Sequence, residues 1–276
     1  MNAYTIIEQS CIGKNPDAFC EDGIVVSPYY IAIIDGSTSK GNLSYGIKTS
    51  GRIAMELLSE AIPLLPIDID VTHAITLLTR KISEYYVQHD VEANVSEHPE
   101  NRLTASCVIY SVKRNEIWQI GDCPFMLDDQ MYDNPKYWEQ PLAQMRALFL
   151  EKELKDGKTI EQLRTNDTGR EYILPLLKFS TRYQNNEDTN YGYAVLDGFP
   201  IPTHHIKTYS CKGIHQIILA SDGYFQLAGT LNECERINKE YLAQDPLCML
   251  TYKMTKGLKP NAKNFDDRTY IRFTLD

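Results

Sequence analysis

The amino-acid sequence predicts an α+β fold in which helices cover antiparallel β-sheets. The order of its segments carries this prediction, because strand-like and helix-like segments come in groups: strands, a helix pair, strands, helices, strands. A doubly wound parallel sheet would instead alternate single strands with single helices. No repeat, low-complexity tract or Pro/Gly-rich linker divides the chain. Its 276 residues, 43% apolar and 24% charged, fit one large domain or two small ones.

The first half of the chain begins with strands and continues with helices. Residues 23–34 predict two short strands. Residues 44–62 predict a helix for which Ser44 is a plausible N-cap, and residues 70–89 predict a second helix that Asp70 can cap. Apolar residues recur at helical spacing in both helices, which indicates faces packed against a core.

The second half begins with a predicted antiparallel hairpin. Its strands are residues 102–112 and 116–121, separated by the charged turn KRN. After the hairpin we expect a helix-rich stretch at residues 139–178 and a polar loop at 181–192. Two strands follow at 193–198 and 216–221, and then a helix at 231–244. The final strand, residues 268–275, has alternating β-branched and aromatic residues.

Composition and charge exclude several function classes. The net charge is -9 and the pI is near 5.2, which argues against general nucleic-acid binding. The N-terminus lacks the pattern of a signal peptide, and no stretch approaches the roughly 18 apolar residues that span a membrane. Seven cysteines without a CxxC pair indicate reduced thiols and no zinc site. We therefore expect a cytoplasmic protein that binds neither membrane nor nucleic acid.

Acidic residues recur at the ends of the predicted strands. A single Asp-Gly there is explained by a turn, because aspartate caps its own turn and glycine accepts positive φ. The whole set is harder to explain this way, since carboxylates held together on rigid strand ends repel unless a cation compensates them. The set is Glu21 and Asp22 in CEDG, Asp35 in IIDG, Asp122 in QIGD, Asp197 in VLDG, Asp222 in LASDG, and Asp266 and Asp267 in NFDD.

An oxygen-only cluster of this kind indicates hard cations, Mg²⁺ or Mn²⁺. Two such ions about 4 Å apart share a bridging water and lower its pKa towards roughly 7. The hydroxide that results attacks phosphorus in line, while the ions neutralise the phosphoryl oxygens. The motifs of other hydrolytic and nucleotide sites, GxSxG, HExxH and GxxxxGK[ST], are absent.

The order of these motifs resembles that of the metal-dependent Ser/Thr protein phosphatases of type 2C. ED is followed by a strand ending in DG, then TAS, GD, SDG and a final D-D-x-T strand, from about residue 11 to the C-terminus. The resemblance implies a single domain over residues 1–276, a four-layer α/β/β/α sandwich of two antiparallel sheets flanked by helix pairs. It also implies an enzyme that removes phosphate from phosphoserine and phosphothreonine of a protein substrate, by attack of a hydroxide bridging two Mn²⁺ or Mg²⁺ ions.

The same resemblance assigns roles to residues. Asp35 matches the aspartate that bridges both metals, and Gly36 matches a carbonyl ligand. Asp222 and Asp266 match two further metal ligands. Glu21 and Asp22 match the acidic pair that holds metal-bound waters, and Asp22 is also taken as a ligand. Asp122 matches a ligand of a weaker third metal.

This chain departs from the family pattern at two places. It has DGSTS where the family has DGHGG or DGMGG, so the histidine proposed as general acid is absent, and Ser37 or a metal-bound water would replace it. The phosphate-gripping arginine has no match, and Lys14 or Lys40 is the candidate replacement. The register is also open, because KNPDAF would place Asp17 where CEDG places Asp22. We prefer CEDG, in which the acidic partner precedes the aspartate directly.

Two alternative functions stay open beside the phosphoprotein phosphatase. One is a catalytically weak or silent homologue that acts as a binding or regulatory module, which the loss of the histidine and the arginine favours. Retention of Asp35, Asp222 and Asp266 opposes it, because carboxylates gathered without metal are costly. The other is a phosphomonoesterase of small molecules. The physiological substrate, the choice between Mn²⁺ and Mg²⁺ and the oligomeric state do not follow from the sequence.

Overall fold

A computed structural model describes residues 3–15 and 19–276 as two five-stranded antiparallel sheets packed face to face. The strands are β1 (Tyr4–Ile12), β2 (Asp22–Val26), β3 (Tyr30–Ser37), β4 (Thr104–Ser111), β5 (Glu116–Ile120), β6 (Phe125–Leu127), β7 (Gln130–Tyr132), β8 (Lys207–Ser210), β9 (Gln216–Ala220) and β10 (Arg268–Leu275). One sheet has the order β1-β10-β9-β6-β7 and the other β2-β3-β4-β5-β8. The predicted α+β sandwich is confirmed.

Seven α-helices accompany the sheets in the described part of the chain. They are α1 (Ser50–Ala61), α2 (Val71–Gln88), α3 (Glu92–Glu97), α4 (Glu139–Lys155), α5 (Ile160–Thr165), α6 (Thr168–Phe179) and α7 (Leu231–Gln244). None of these helices combines the length and the apolarity needed to cross a bilayer.

The central strand β3 shows how the sandwich is held together. Ile31 and Ile33 pack between the two sheets, whereas Ala32 and Ile34 pack on the opposite face, among residues of α1 and α2. Successive side chains of a strand point to opposite faces, so a strand covered on both faces must be apolar throughout. This explains why the sequence of β3 is almost continuously apolar up to Asp35.

The outer layers of the sandwich differ from each other. The helix pair α1 and α2 covers the second sheet, as predicted. The first sheet is covered by α7, through Cys234, and by Tyr224 and Leu227 of the loop that precedes this helix. These loop side chains cover the remaining apolar surface of β9 and β10. The first sheet is therefore covered by one helix and a loop instead of the second helix pair that we expected.

The N-terminus of α1 differs from the sequence prediction. The helix begins at Ser50 instead of residue 44, since Gly46 has a positive φ of 82° that ends any earlier helical turn. Thr49 is the N-cap and accepts a hydrogen bond from the backbone N–H of Arg52. The predicted cap of α2 is confirmed, because Asp70 accepts from the backbone N–H of His73 at 3.0 Å.

The segment between β7 and β8, residues 133–206, forms a helical insert. Helices α4 and α6 pack on each other. The strand predicted at residues 193–198 does not form. Leu196 makes only an isolated bridge to Ala105. The side-chain amide of Asn185 donates a hydrogen bond to the carbonyl of Val195 and accepts one from its backbone N–H, so these groups are not available to a neighbouring strand.

Candidate active site

The acidic strand ends of both sheets meet at one end of the sandwich. Asp22 and Asp35 are direct cross-strand partners on β2 and β3. Asp222 follows β9 of the other sheet, and its backbone nitrogen lies 3.5 Å from Oδ2 of Asp35. Asp266 stands just before β10, the neighbour of β9. Residues that are far apart in the sequence are thus brought together by the pairing of the strands.

Two glycines allow helix α1 to approach this end of β3 closely. A Cβ on Gly36 would overlap the carbonyl oxygen of Gly51, in the first turn of α1. A Cβ on Gly51 would lie 2.6 Å from Oε1 of Glu21, which is closer than real Cβ contacts. The helix therefore packs directly against the strand end and against the Glu21 carboxylate.

Lys14 lies among the carboxylates. Its Nζ is 3.4 Å from Glu21 Oε2, 3.1 Å from Asp266 Oδ1 and 3.2 Å from Asp267 Oδ2. The ammonium of Lys256 forms a second ion pair with Asp266. Burial acts to raise the pKa of Asp266, but Lys256 and Lys14 outweigh it and hold this pKa well below its ordinary value. This part of the cluster is already neutralised by the protein.

Asp122 is neutralised in the same way. Its carboxylate lies 2.6 Å from Lys136 Nζ and accepts a hydrogen bond of 2.6 Å from the Ser106 hydroxyl. Burial opposes ionisation here too, but Lys136 and then Ser106 lower the pKa of Asp122 below its ordinary value.

Asp35 and Asp222 differ from these two, because among the described residues neither forms an ion pair with a cationic side chain. Burial, followed by the charges of Asp222 and Asp22, raises the pKa of Asp35 well above its ordinary value. Burial and the charge of Asp266 likewise raise the pKa of Asp222. A half-buried pair of carboxylates without an ion pair is short of positive charge.

A cavity of about 530 Å³ opens over this pair, between the end of the sandwich and the helical insert. Its volume lies in the range of ligand sites. The carboxylates in its wall are those of Glu21, Asp35, Asp122, Asp222 and Asp266, together with Glu100, Glu139 and Asp167 of other segments. Asp22 does not line the cavity. It lies buried behind the wall and accepts a hydrogen bond of 2.9 Å from the Thr269 hydroxyl.

The three residues predicted to bind phosphate occupy different positions. Ser37 lines the cavity at the exposed end of β3. Lys40 also lines it, and its Nζ donates to the carbonyl of Thr38 at 2.5 Å. Burial, and next the charge of Arg170, lowers the pKa of Lys40 to about 7. Lys14 lines the cavity but is engaged by the carboxylates described above.

Sequence reasoning missed three cations that line the cavity. Lys136 precedes α4, Arg170 lies in the first turn of α6, and Lys256 lies in the segment before β10. No local pattern marks these residues, because each stands in an irregular segment or at a helix end. The only signal available was their type, since lysine and arginine rarely become buried without a partner.

The fit of these residues to a divalent metal follows from their donor atoms. As the side chains stand, no group of three or more His, Cys, Asp or Glu residues in ranges 3–15 and 19–276 is arranged to hold a metal ion. One reason is that the ammonium groups of Lys14 and Lys256 form ion pairs with Asp266 and occupy its carboxylate oxygens. The Asp35–Asp222 pair, with the adjacent carbonyl of Gly36, presents only oxygen and lacks positive charge, so its chemistry fits Mg²⁺ or Mn²⁺. Asp17, the alternative to Asp22, lies outside the described residues.

This chain is similar to several solved structures, among them two of serine/threonine phosphatases. The serine/threonine phosphatase PstP/Ppp of Mycobacterium tuberculosis is 14% identical over 99% of this chain and 100% of its own, with a TM-score of 0.47. Stp1 from Staphylococcus aureus is 14% identical over 100% and 97%, with a TM-score of 0.44. RsbX in complex with magnesium is 11% identical over 99% and 100%, with a TM-score of 0.43. No family model and no curated protein sequence matches the chain. TM-scores this low carry no functional argument, so the chemistry rests on the residues of this chain.

Proposed function

We propose that this protein is a divalent-metal-dependent phosphatase that hydrolyses phosphoserine and phosphothreonine on proteins. One observation carries the proposal: the half-buried pair Asp35 and Asp222 forms no ion pair among the described residues and lies in the wall of a cavity whose other lining includes lysines and arginines. A metal supplies the positive charge that the two carboxylates lack, and the cations of the lining attract the negative charge of a phosphate. The motif order that resembles the type 2C phosphatases supports the same reaction.

The metal ligands in this proposal are the residues at the strand ends. Asp35, the carbonyl of Gly36 and Asp222 would hold the cations, with Asp266 and Asp22 beside them and Asp122 at a weaker third position. When bound, two Mn²⁺ or Mg²⁺ ions supply a water of lowered pKa and neutralise charge on the phosphoryl oxygens. Asp266 and Asp122 join this set when Lys14, Lys256 and Lys136 release them.

The other side chains of the cavity bind and orient the substrate. Lys136 and Lys256 are the cations that act most strongly on Asp222, so a phosphoryl group at that carboxylate lies within their field. The hydroxyl of Ser37, exposed at the end of β3, donates a hydrogen bond to the leaving oxygen in place of the absent histidine. Glu21, held by the Thr38 hydroxyl at 2.7 and 2.8 Å, keeps the start of β2 in position.

The weak or silent homologue is the second candidate, and one observation favours it. Lys14 and Lys256 already neutralise Asp266, which lowers the demand for a cation at that position. An enzyme must displace these ammonium groups when it binds metal, whereas a binding module keeps them in place.

Hydrolysis of p-nitrophenyl phosphate and of a phosphothreonine peptide tests the proposal. We expect turnover with Mn²⁺ or Mg²⁺, none in EDTA, and a loss of at least about 10³-fold in kcat for Asp35→Asn. Asp129→Asn, the same change at an exposed position in the β6–β7 turn, is the matched control and should keep full activity. Metal-independent turnover, or an active Asp35→Asn, contradicts the proposal. Tight Mn²⁺ binding without any turnover supports the silent homologue.

The register of the acidic pair is tested separately. Asp22→Ala should weaken metal-dependent activity more than Asp17→Ala, because Asp22 is the cross-strand partner of Asp35. The reverse result would show that KNPDAF is the correct alignment.

The proposed location is the cytoplasm and the proposed partner is a phosphorylated protein. All seven cysteines are free thiols, as is typical of proteins kept in reducing compartments. Localisation of a tagged chain by fractionation checks this part of the proposal.

A further inference from the structure

The cationic side chains that line the cavity fall into two groups. Most have a carboxylate partner: Lys14, Lys136 and Lys256 in the acidic cluster, Arg102 with Asp197, Arg146 with Asp167, and Arg164 with Glu161. Among the described residues that line the cavity, Lys40, Arg170 and Lys259 form no ion pair. Lys259 is exposed to solvent, whereas Lys40 and Arg170 are half-buried.

The charged groups of Lys40 and Arg170 donate to neutral carbonyls. The backbone N–H of Lys40 donates to the carbonyl of Glu100 at 2.9 Å, and its ammonium donates to the carbonyl of Thr38. Nη1 of Arg170 donates to the carbonyl of Thr255 at 2.7 Å. Asp167, the carboxylate that acts most strongly on Arg170, accepts a hydrogen bond of 2.8 Å from the backbone N–H of Arg170 but forms its ion pair with Arg146, so it offsets the charge of Arg170 only in part.

Both cations line the same cavity as the carboxylate pair, and neither forms an ion pair with it. Arg170 is the charge that contributes most, after burial, to the lowered pKa of Lys40. The cations that act most on Asp222 are instead Lys256 and Lys136. Two like charges in a partly buried cavity disfavour each other unless an anion lies between them. The arrangement therefore offers a place for an anion beside the proposed reaction centre.

We propose that Lys40 and Arg170 bind a second anionic group of the substrate, an acidic side chain next to the phosphorylated residue. The inference rests on the proposed function, because it takes the substrate to be a phosphoprotein. The volume of about 530 Å³ exceeds the needs of one phosphoryl group and matches sites that enclose whole ligands. Lys40 and Arg170 are then residues that determine specificity, and the insert that carries Arg170 selects the substrate.

Binding of two matched peptides tests this inference without turnover. Both are fluorescently labelled phosphothreonine peptides, with aspartates flanking the phosphothreonine in one and asparagines in the other. In EDTA, we expect fluorescence anisotropy to show about 10-fold tighter binding of the aspartate peptide, a typical gain for one additional charged contact. Lys40→Met and Arg170→Gln should each reduce this preference to below about 3-fold. Lys113→Met, at an exposed lysine of the β4–β5 turn, should keep it.

Two further measurements separate specificity from folding and from catalysis. Arg170→Lys keeps the positive charge and should keep most of the peptide preference. If Arg170 acted only by its hydrogen bond to Thr255, the lysine variant would lose the preference as Arg170→Gln does. With Mn²⁺, kcat/KM for p-nitrophenyl phosphate, which carries one anionic group, should change less than about 3-fold in Arg170→Gln.

Equal binding of the two peptides by the wild type overturns the inference. An equal fall in kcat/KM for p-nitrophenyl phosphate in Arg170→Gln also overturns it, since Arg170 would then act on the reacting phosphoryl group. If the peptide preference is present but p-nitrophenyl phosphate is not hydrolysed, the inference stands and the proposed function fails.

Discussion

The two walls of the cavity are built in different ways. The acidic wall lies on the ends of hydrogen-bonded strands, with Asp35 and Asp222 contributed by different sheets. The basic wall lies on loops and on the helical insert, where Lys40 and Arg170 are held by backbone carbonyls. Strand ends in a packed sandwich fix their side chains more firmly than loops do, which suits chemistry that depends on geometry. We therefore infer that the strand ends of the sandwich carry the proposed reaction and that the helical insert takes part in the choice of substrate.

The strongest test of this comparison is Asp222→Asn. We expect kcat with Mn²⁺ to fall by about 10³-fold or more, because the change removes a proposed ligand charge. The free energy of unfolding in EDTA should rise by about 1 kcal/mol, because an amide removes the burial of a charge and then the repulsion by Asp266, which together raise the pKa of Asp222. Urea denaturation and steady-state kinetics measure the two effects. A variant that loses activity and also loses stability would show that Asp222 holds the fold together instead.

The two walls also differ in how far the sequence could predict them. The acidic wall was readable because Asp35 and Asp222 follow apolar strands and precede glycine, so each has a local signature. The apolar patterns and the order of the segments likewise predicted antiparallel sheets covered by helices, whereas the two-sheet sandwich was implied by the resemblance to the type 2C phosphatases. Strand β1 was missed because its residues are alternately half-buried and exposed and include few strongly apolar ones. Arg170 and Lys256 have no signature at all, because only the folding of the insert and of the last loop brings them to the cavity.

Asp197 provides an internal comparison, since it is a buried Asp-Gly that does not line the cavity. It caps its own turn by accepting from the Phe199 N–H at 3.0 Å, and it forms an ion pair of 3.0 Å with Arg102. The other polar neighbours are Asn185, which donates to its carboxylate, and Tyr86, which donates to its carbonyl. Burial raises the pKa of Asp197 to about 6, although Arg102 opposes the rise.

This shift predicts a pH dependence of stability. The unfolded chain loses the Asp197 proton near pH 4 and the folded chain near pH 6, so the folded state binds more protons between these values. The free energy of unfolding of the wild type should therefore fall, relative to Asp197→Asn, by about 2 to 3 kcal/mol as the pH rises from 4 to 6. Urea denaturation across this range measures it, with Asp129→Asn as the control for an exposed carboxylate. Parallel curves for wild type and Asp197→Asn would contradict the shift.

Gly51→Ala tests the close approach of α1 to the acidic wall. The new Cβ would lie 2.6 Å from Glu21 Oε1 and 2.7 Å from the carbonyl carbon of Gly36, so one of these elements must move. We expect the free energy of unfolding to fall by about 2 kcal/mol, as is typical of overpacking. Gly229→Ala is the control, because nothing lies within 4 Å of its added Cβ. Equal effects of the two changes would show that α1 has room to adjust.

Lys14→Met gives the smallest expected effect and the most direct information about the acidic wall. The ammonium of Lys14 contacts Glu21, Asp266 and Asp267, so its removal leaves three carboxylates with less compensation. In EDTA the free energy of unfolding should fall by about 1 kcal/mol, a modest loss because Lys14 is one-third exposed. In Mn²⁺ the midpoint of thermal unfolding should rise more than in the wild type, since the cation then binds carboxylates that Lys14 no longer occupies. Lys113→Met controls for the loss of a surface charge. If Mn²⁺ stabilises Lys14→Met less than the wild type, Lys14 assists metal binding instead of competing with it, and the acidic wall requires its lysine.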